Sequence, residues 1–187
     1  MSALVQGTEE WLKMRQNKIG ASDAPIIMKA SPWKSPRQLW EEKLGLREAD
    51  SPSWAMRRGI ELEEEARQAF EKLTGIYVFK RVMQHPVYEW MIASIDGIDL
   101  EEKIIVEIKC PGKKDHEIAL SGRVPEKYFP QLQHQMYVCN LPSNYYYSYY
   151  RKNGVIVKTN KHEEYQRRLL QEELKFWDCM RNFIVPE

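Results

Sequence analysis

The stretch MIASIDGIDLEEKIIVEIKCP, residues 91–111, decides how this chain is read. Two apolar runs flank an acidic turn; the first ends in Asp96-Gly97 and the second in Glu107-Ile108-Lys109. Strand side chains alternate with period two, so Glu107 and Lys109 share one face while Val106 and Ile108 share the other. A hairpin centred between Glu101 and Glu102 sets Asp96 opposite Glu107, because the two are equidistant from that centre. Directly opposed residues carry Cβ atoms roughly 5 Å apart, which gathers two carboxylates and an ammonium into one patch. Clustered carboxylates repel unless a positive charge lies between them, and Mg2+ is a common solution.

Upstream, Thr8 is expected to cap a helix over about 9–19, closed by Gly20. Its apolar positions include Trp11, Leu12, Met14 and Ile19, and Arg15 falls on that stripe rather than opposite it. A cation so placed either snorkels to solvent or has a dedicated anion. Ser22 is expected to cap a short second helix that tolerates Pro25 in its first turn. Arg15, Ser22 and that helix N-terminus form a candidate pocket for one phosphate; ordinary capping beside a surface arginine is the competing reading. Ser35-Pro36-x-Gln38 is a capping-box start for a third helix ending near Gly45. A long helix over about 54–73 follows, stopped at Thr74-Gly75, with Leu62, Ala66, Ala69, Phe70 and Leu73 inward. Glu63 sits at the edge of that stripe, where an acid needs a metal or a basic partner.

Downstream, residues 77–83 read as a strand, Pro111-Gly112 breaks the second hairpin strand, and a short helix occupies 113–120. Residues 125–140 are helical in character, with Pro130 starting or kinking the helix. Gln131 and Gln135 align on one face of it, a pattern that usually means solvent. Asn153-Gly154 is the strongest short turn signal, flanked by strands at 145–152 and 155–159. Tyrosines at both parities of the first of these suggest a strand covered on both faces, with stacking of some on bases or on a neighbouring subunit as the alternative. A closing helix over about 162–183 turns Tyr165, Leu169, Phe176, Met180 and Phe183 inward. This order of elements predicts an α/β fold, a central mixed sheet flanked by helices, in a single domain over 1–187.

Composition narrows the classes. A hydrophobic fraction of 43% with 29% charged residues is that of a soluble globular protein. No apolar run approaches the roughly 18 residues that span a bilayer, and no signal-peptide core is evident, so a cytoplasmic protein without membrane contact is expected. Cys110, Cys139 and Cys179 are far apart, which suits a reducing compartment and argues against a structural zinc or an iron–sulfur cluster built by this chain alone. A net charge of +1 does not by itself point to nucleic acid. Lys109, Lys113, Lys114, Arg123 and Lys127 cluster after the hairpin, and such patches can bind phosphate or simply be solvated.

The pattern D-x10-E-x-K across a hairpin resembles the signature of the PD-(D/E)xK (restriction-endonuclease-like) nuclease superfamily. Further motifs stand in order around it: Trp11, Arg15 and Ser22; Gly59 and Glu63; Ser94, Asp96 and Gly97; Glu107 to Pro111; Tyr128, Gln131 and Gln133. This series, over residues 7–150, resembles the lambda exonuclease and YqaJ-like viral recombinase family. Ile95 departs from it, standing where the superfamily has proline, at a backbone-shaping position rather than a ligand. The resemblance implies a Mg2+-dependent exonuclease, with Mn2+ as substitute. It would degrade the 5′-ended strand of linear double-stranded DNA to mononucleotides and leave a 3′ overhang. Asp96, Glu107 and the Ile108 carbonyl would hold the metal, and Glu63 would serve a second one. Lys109, assisted by Gln131, would position and help deprotonate the attacking water, and Arg15 and Ser22 would hold the 5′-phosphate. The family further implies a homotrimeric ring and a single-strand annealing partner in phage recombination within a bacterial cell. A site-specific endonuclease of the same superfamily and an inactive DNA-end-binding module are the rival readings.

Overall fold

The computed structural model describes residues 8–187, without the side chains of Glu9, Leu12 and Met14, so the expected burial of Leu12 and Met14 lies outside the described residues. In chain order the elements are α1 (Glu9–Gln16), β1 (Ile19–Gly20), α2 (Ala24–Ile27), α3 (Pro36–Lys43), α4 (Trp54–Thr74), β2 (Phe79–Gln84), β3 (Met91–Ile98) and β4 (Ile105–Lys109). There follow α5 (Lys113–Leu120), a 3-10 turn over Glu126–Tyr128, α6 (Phe129–Cys139), β5 (Ser143–Tyr150), β6 (Asn153–Asn160) and α7 (Glu163–Asn182). Among the described residues no helix is long and apolar enough to cross a membrane.

The strands form one mixed sheet, β1-β3-β4-β5-β6, with β2 also paired to β3. The β3–β4 ladder pairs Gly97 with Val106 and Ile98 with Ile105, which is the register expected from the hairpin symmetry. Parallel pairing of β4 with β5 then carries Glu107 beside Tyr146 and Lys109 beside Ser148.

The registers also reveal a fork. Ile92 pairs with Gly20 of β1 and Gln84 of β2 at once, so β1 and β2 lie on opposite edges of β3. Ile98 likewise pairs with both Phe79 of β2 and Ile105 of β4. Hence β1 and β4 share one edge of β3, and neither ladder reaches Ala93 to Asp96 between them. A sheet with such a gap exposes backbone that side chains must satisfy.

Helices cover the two faces. Ala66 and Phe70 of α4 pack with Val78, Val106, Ile108, Tyr147 and Tyr149. Leu132 and Met136 of α6 pack with Ala93, Ile95, Ile105, Ala119 and Tyr146 on another side. Tyr146 and Tyr147 are both fully buried, one in each cluster, as a strand covered on both faces requires. A third cluster ties α2 and α3 to α7 through Ile27, Leu39, Trp40, Phe176 and Met180.

Several expectations are corrected. The first helix stops at Gln16 rather than Ile19, because Ile19 donates its N–H to Trp90 and enters the sheet beside Met91. Ser22 is not the cap of α2; Asp23 holds that position, with no side-chain cap bond, because its carboxylate turns to Gly20 and Lys43. Leu73 and Phe183 are exposed, each lying in the last turn or just past the end of its helix where the packing surface has ended. The second hairpin turns at Arg151-Lys152, both with positive φ as in a type I′ turn, and Asn153-Gly154 already belong to β6. Gly154 is glycine for another reason: a Cβ there would overlap the Tyr147 phenol.

Candidate active site

Asp96 ends the unpaired segment of β3, and its carboxylate replaces the missing ladder by accepting the Ile108 N–H at 3.0 Å. Gly97, next to it, has no room for a side chain, since a Cβ would lie 2.7 Å from Val78 Cγ2. Glu107 on β4 is 1% exposed and Asp96 9%. Lys109 Nζ lies 2.5 Å from Glu107 Oε1, and Gln131 Nε2 donates to the same oxygen at 2.6 Å. The sequence-predicted residues Asp96, Glu107, Ile108, Lys109 and Gln131 are therefore gathered in one place.

The electrostatics follow from burial. Desolvation and the neighbouring Glu107 charge push the Asp96 carboxyl well above its usual range, against the opposing pull of Lys109. Burial works against the Lys109 charge, but Glu107 and Asp96 outweigh it, and the ammonium is held on well past its ordinary range. Two carboxylates thus share one lysine.

The glutamines of α6 are not solvent-facing as the sequence pattern suggested. Gln131, Gln133 and Gln135 are all buried. Gln135, which the motif series did not include, donates to Glu107 Oε2, and its own amide oxygen accepts from Asn144 at 2.7 Å. It also reaches the Ser94 carbonyl at 3.4 Å, satisfying backbone inside the fork. Their alternation with Leu132 and Met136 was the available signal: a helix buried all round cannot keep a polar row in water.

Glu63 stands apart. It lies on α4, which covers the Val106–Ile108 face, whereas Glu107 and Lys109 point toward α6. Lys80 of β2 takes its carboxylate at 2.6 Å, the ion pair that an edge acid without a metal calls for. Among the described residues no three His, Cys, Asp or Glu side chains gather closely enough to cage a metal alone. Mg2+ does not need such a cage, because it keeps several waters and takes one or two carboxylates. Asp96, Glu107 and a main-chain carbonyl are the hard oxygen donors that suit it.

Arg15 and Ser22 do meet. Arg15 Nη2 donates to Ser22 Oγ and lies 3.5 Å from Asp23 Oδ1, with its guanidinium over the Trp11 ring at 4.9 Å. Trp11 in turn donates its indole N–H to Ser94 Oγ at 3.2 Å, two positions before Asp96 on β3. Beneath them Lys43 bonds Asp23 at 2.7 Å and the carbonyls of Arg15 and Lys18 at 2.9 and 2.7 Å. The arginine on an apolar stripe has its anion, and that anion holds it at the mouth of the fork.

The chain is similar to several known proteins. The uncharacterized protein YqaJ of Bacillus subtilis (strain 168) is 31% identical over 181 residues, covering 91% of this chain, which spans 55% of that protein's length. The alkaline exonuclease LHK-Exo of Laribacter hongkongensis superposes with a TM-score of 0.81 at 25% identity, covering 95% of this chain and 94% of that one. The same exonuclease in complex with dAMP gives 0.80 at 25% identity, with the same coverage of 95% and 94%. A phage-related exonuclease from Haemophilus somnus 129PT shares the fold at 15% identity, with a TM-score of 0.66 over 89% of this chain and 96% of that one. The architecture is that of the PD-(D/E)xK nucleases. With residues 10–142 matching its domain, the chain belongs to the YqaJ-like viral recombinase domain family.

Proposed function

We propose that this protein is a divalent-metal-dependent 5′-to-3′ exonuclease. Its substrate is linear double-stranded DNA, and it releases mononucleotides and leaves a 3′ single-stranded overhang for recombination by strand annealing. The observation that carries the reading is the link from Arg15 and Ser22 through Trp11 to Ser94, two residues from Asp96. An arginine–serine pair tied to the strand that carries a buried carboxylate suits a terminal phosphate next to a bond being cut. The LHK-Exo complex with dAMP supports a mononucleotide product.

Asp96, Glu107 and the Ile108 carbonyl would hold Mg2+ or Mn2+; Glu63 would have to leave Lys80 to serve a second ion. When bound, a divalent cation supplies a nucleophile at neutral pH and offsets charge on the departing oxygen. Gln131 and Gln135 orient Glu107, and Glu107 orients Lys109. Lys109 is protonated while both carboxylates pull on it; neutralising them lowers its proton affinity and lets it assist removal of the water proton. Arg15 and Ser22 hold the 5′-phosphate with charge-assisted bonds. A homotrimeric ring and a single-strand annealing partner in a bacterial cell complete the proposal.

The test uses labelled linear duplex and covalently closed circles with Mg2+. Mononucleotides from 5′-phosphorylated linear DNA, with circles left intact, are expected; efficient cutting of circles would refute exonuclease action. Lys109→Ala should abolish release while sparing end binding. Arg15→Ala should slow 5′-phosphorylated ends more than 5′-hydroxyl ends.

A further inference from the structure

Outside the carboxylate site, cations and aromatic rings alternate in a line that runs from Lys109 to the surface. Lys109 Nζ lies over the Tyr128 ring at 5.4 Å, Lys127 Nζ over the same ring at 5.2 Å, and Lys127 Nζ over the Trp33 ring at 4.8 Å. Asp115 fixes the Lys127 ammonium at 2.6 Å, so the cation between the two rings is held in place. Tyr128 is stacked on the fully buried Tyr146, centroids 5.8 Å apart, which anchors the inner end. The outer end is open: Trp33 is 66% exposed, on the loop between α2 and α3. Trp11 and Trp40, by contrast, are buried and donate their indole N–H groups to Ser94 and Cys179. Around Trp33 a shallow groove is lined by Lys29, Ser31, Lys34 and Gln38.

An indole pinned by one ammonium and largely exposed offers an aromatic surface of the kind that unpaired bases stack on. The exposed Lys29 beside it suits the backbone between them, whereas Lys34 is paired with Glu42 and Asp50. A stacked strand advances roughly 3.4 Å per nucleotide, so the line from Lys109 to Trp33 spans a handful of nucleotides. We infer that Trp33 and Lys127 form a stacking platform for an unpaired base of the DNA strand whose backbone reaches Lys109. This rests on the nuclease reading above and adds to it a subsite for the melted end of the duplex. A frayed end is thereby favoured over a fully paired one.

The experiment measures anisotropy of labelled duplex ends in EDTA, so that binding is read without hydrolysis. One end carries a short unpaired 5′ thymidine run, a second carries the same run with abasic sugars, and a third is blunt. Trp33→Ala is expected to weaken the thymidine-tailed end roughly 5- to 100-fold, and Trp33→Phe to retain most of the affinity. Lys127→Ala should fall between them. The abasic and blunt ends should bind all of these variants alike. Unchanged affinity of Trp33→Ala for the thymidine tail overturns the platform while leaving the nuclease reading standing. An equal loss on the abasic end also overturns it, by showing that Trp33 acts through the fold. Failure of the unmodified protein to bind any end refutes both readings.

Discussion

Gln135 donates to Glu107 Oε2, the carboxylate oxygen that Lys109 and Gln131 leave to it. Asn144, fully buried, decides which way the amide points by donating to its oxygen. At 1% exposure, Glu107 is surrounded by three donors from two elements. Low polarity strengthens each bond in such a chain and makes each unpaired member expensive.

Gln135→Leu roughly keeps the volume and removes all three of its bonds, to Glu107, Asn144 and the Ser94 carbonyl. The acceptor on Glu107 and the donor on Asn144 lose their partner, at about 1–3 kcal/mol per buried group. The urea midpoint should fall accordingly, and the rate on linear duplex should drop more than tenfold with little change in KM. A variant as stable and active as the parent would show that Glu107 does not depend on this chain of amides. Gln135→Glu should be worse, since it faces one carboxylate with another.

Gly97→Ala tests the close approach beside Asp96. Its Cβ would sit 2.7 Å from Val78 Cγ2, and Val78 is buried under α4. Overpacking of this kind costs about 1–3 kcal/mol. Pairing it with Val78→Ala should recover part of that loss, because neighbouring sites are not additive. Equal destabilisation with and without the Val78 change would point to backbone conformation instead.

The hairpin register was legible because a hairpin is symmetric about its centre. The ladder nevertheless stops at Gly97 and Val106, one position short of the expected Asp96–Glu107 pair, and the Asp96 side chain bonds the Ile108 N–H instead. Arg15 was legible as a misplaced cation, and its anion proved to be Asp23. The fork was not legible, since β1 is two residues long and too short to show a strand pattern. The buried glutamines were only partly legible: their alternation with Leu132 and Met136 hinted at a helix buried all round, but what α6 packs against decides it. Asn153-Gly154 misled because glycine serves two purposes: it permits a positive φ, and it admits a close neighbour. Here the neighbour, Tyr147, decides, and the turn falls to Arg151-Lys152. Glu63 fell between these cases, at the edge of a stripe where a lysine and a metal are equally good partners by sequence.

Lys43→Met should be severely destabilising. Lys43 and Asp23 side chains are only 7% and 6% exposed and bond at 2.7 Å. Burial alone would raise the Asp23 carboxyl, but Lys43 and Arg15 together bring it below its ordinary value. Removing the lysine strands that charge and frees two backbone carbonyls, at about 3–5 kcal/mol. The double change Asp23→Asn with Lys43→Met should regain most of it, measured by urea unfolding. An additive double mutant would mean that the two residues stabilise the fold independently.

His134 is fully buried, with Nδ1 2.7 Å from Glu173 Oε1 and Nε2 2.9 Å from the Ile92 carbonyl. Both partners are acceptors, so the ring donates from both nitrogens and carries a positive charge. Burial opposes that charge, yet Glu173 and the Ile92 carbonyl overcome it and raise the imidazole above 6.5, with Asp23 adding to the pull. A raised folded-state value means that this stabilisation is complete below about pH 6.5 and is lost as pH climbs through the raised value. Each tenfold gain in proton affinity on folding corresponds to about 1.4 kcal/mol. Urea midpoints should therefore decline on the alkaline side, and Glu173→Gln should flatten that decline while lowering stability at acidic pH. His85, whose own proton affinity is lowered by burial and by the His134 charge, should regain some of it in the same variant. Its NMR titration gives an independent readout, and an unmoved His85 together with an unchanged alkaline slope would show that His134 is neutral in the folded protein.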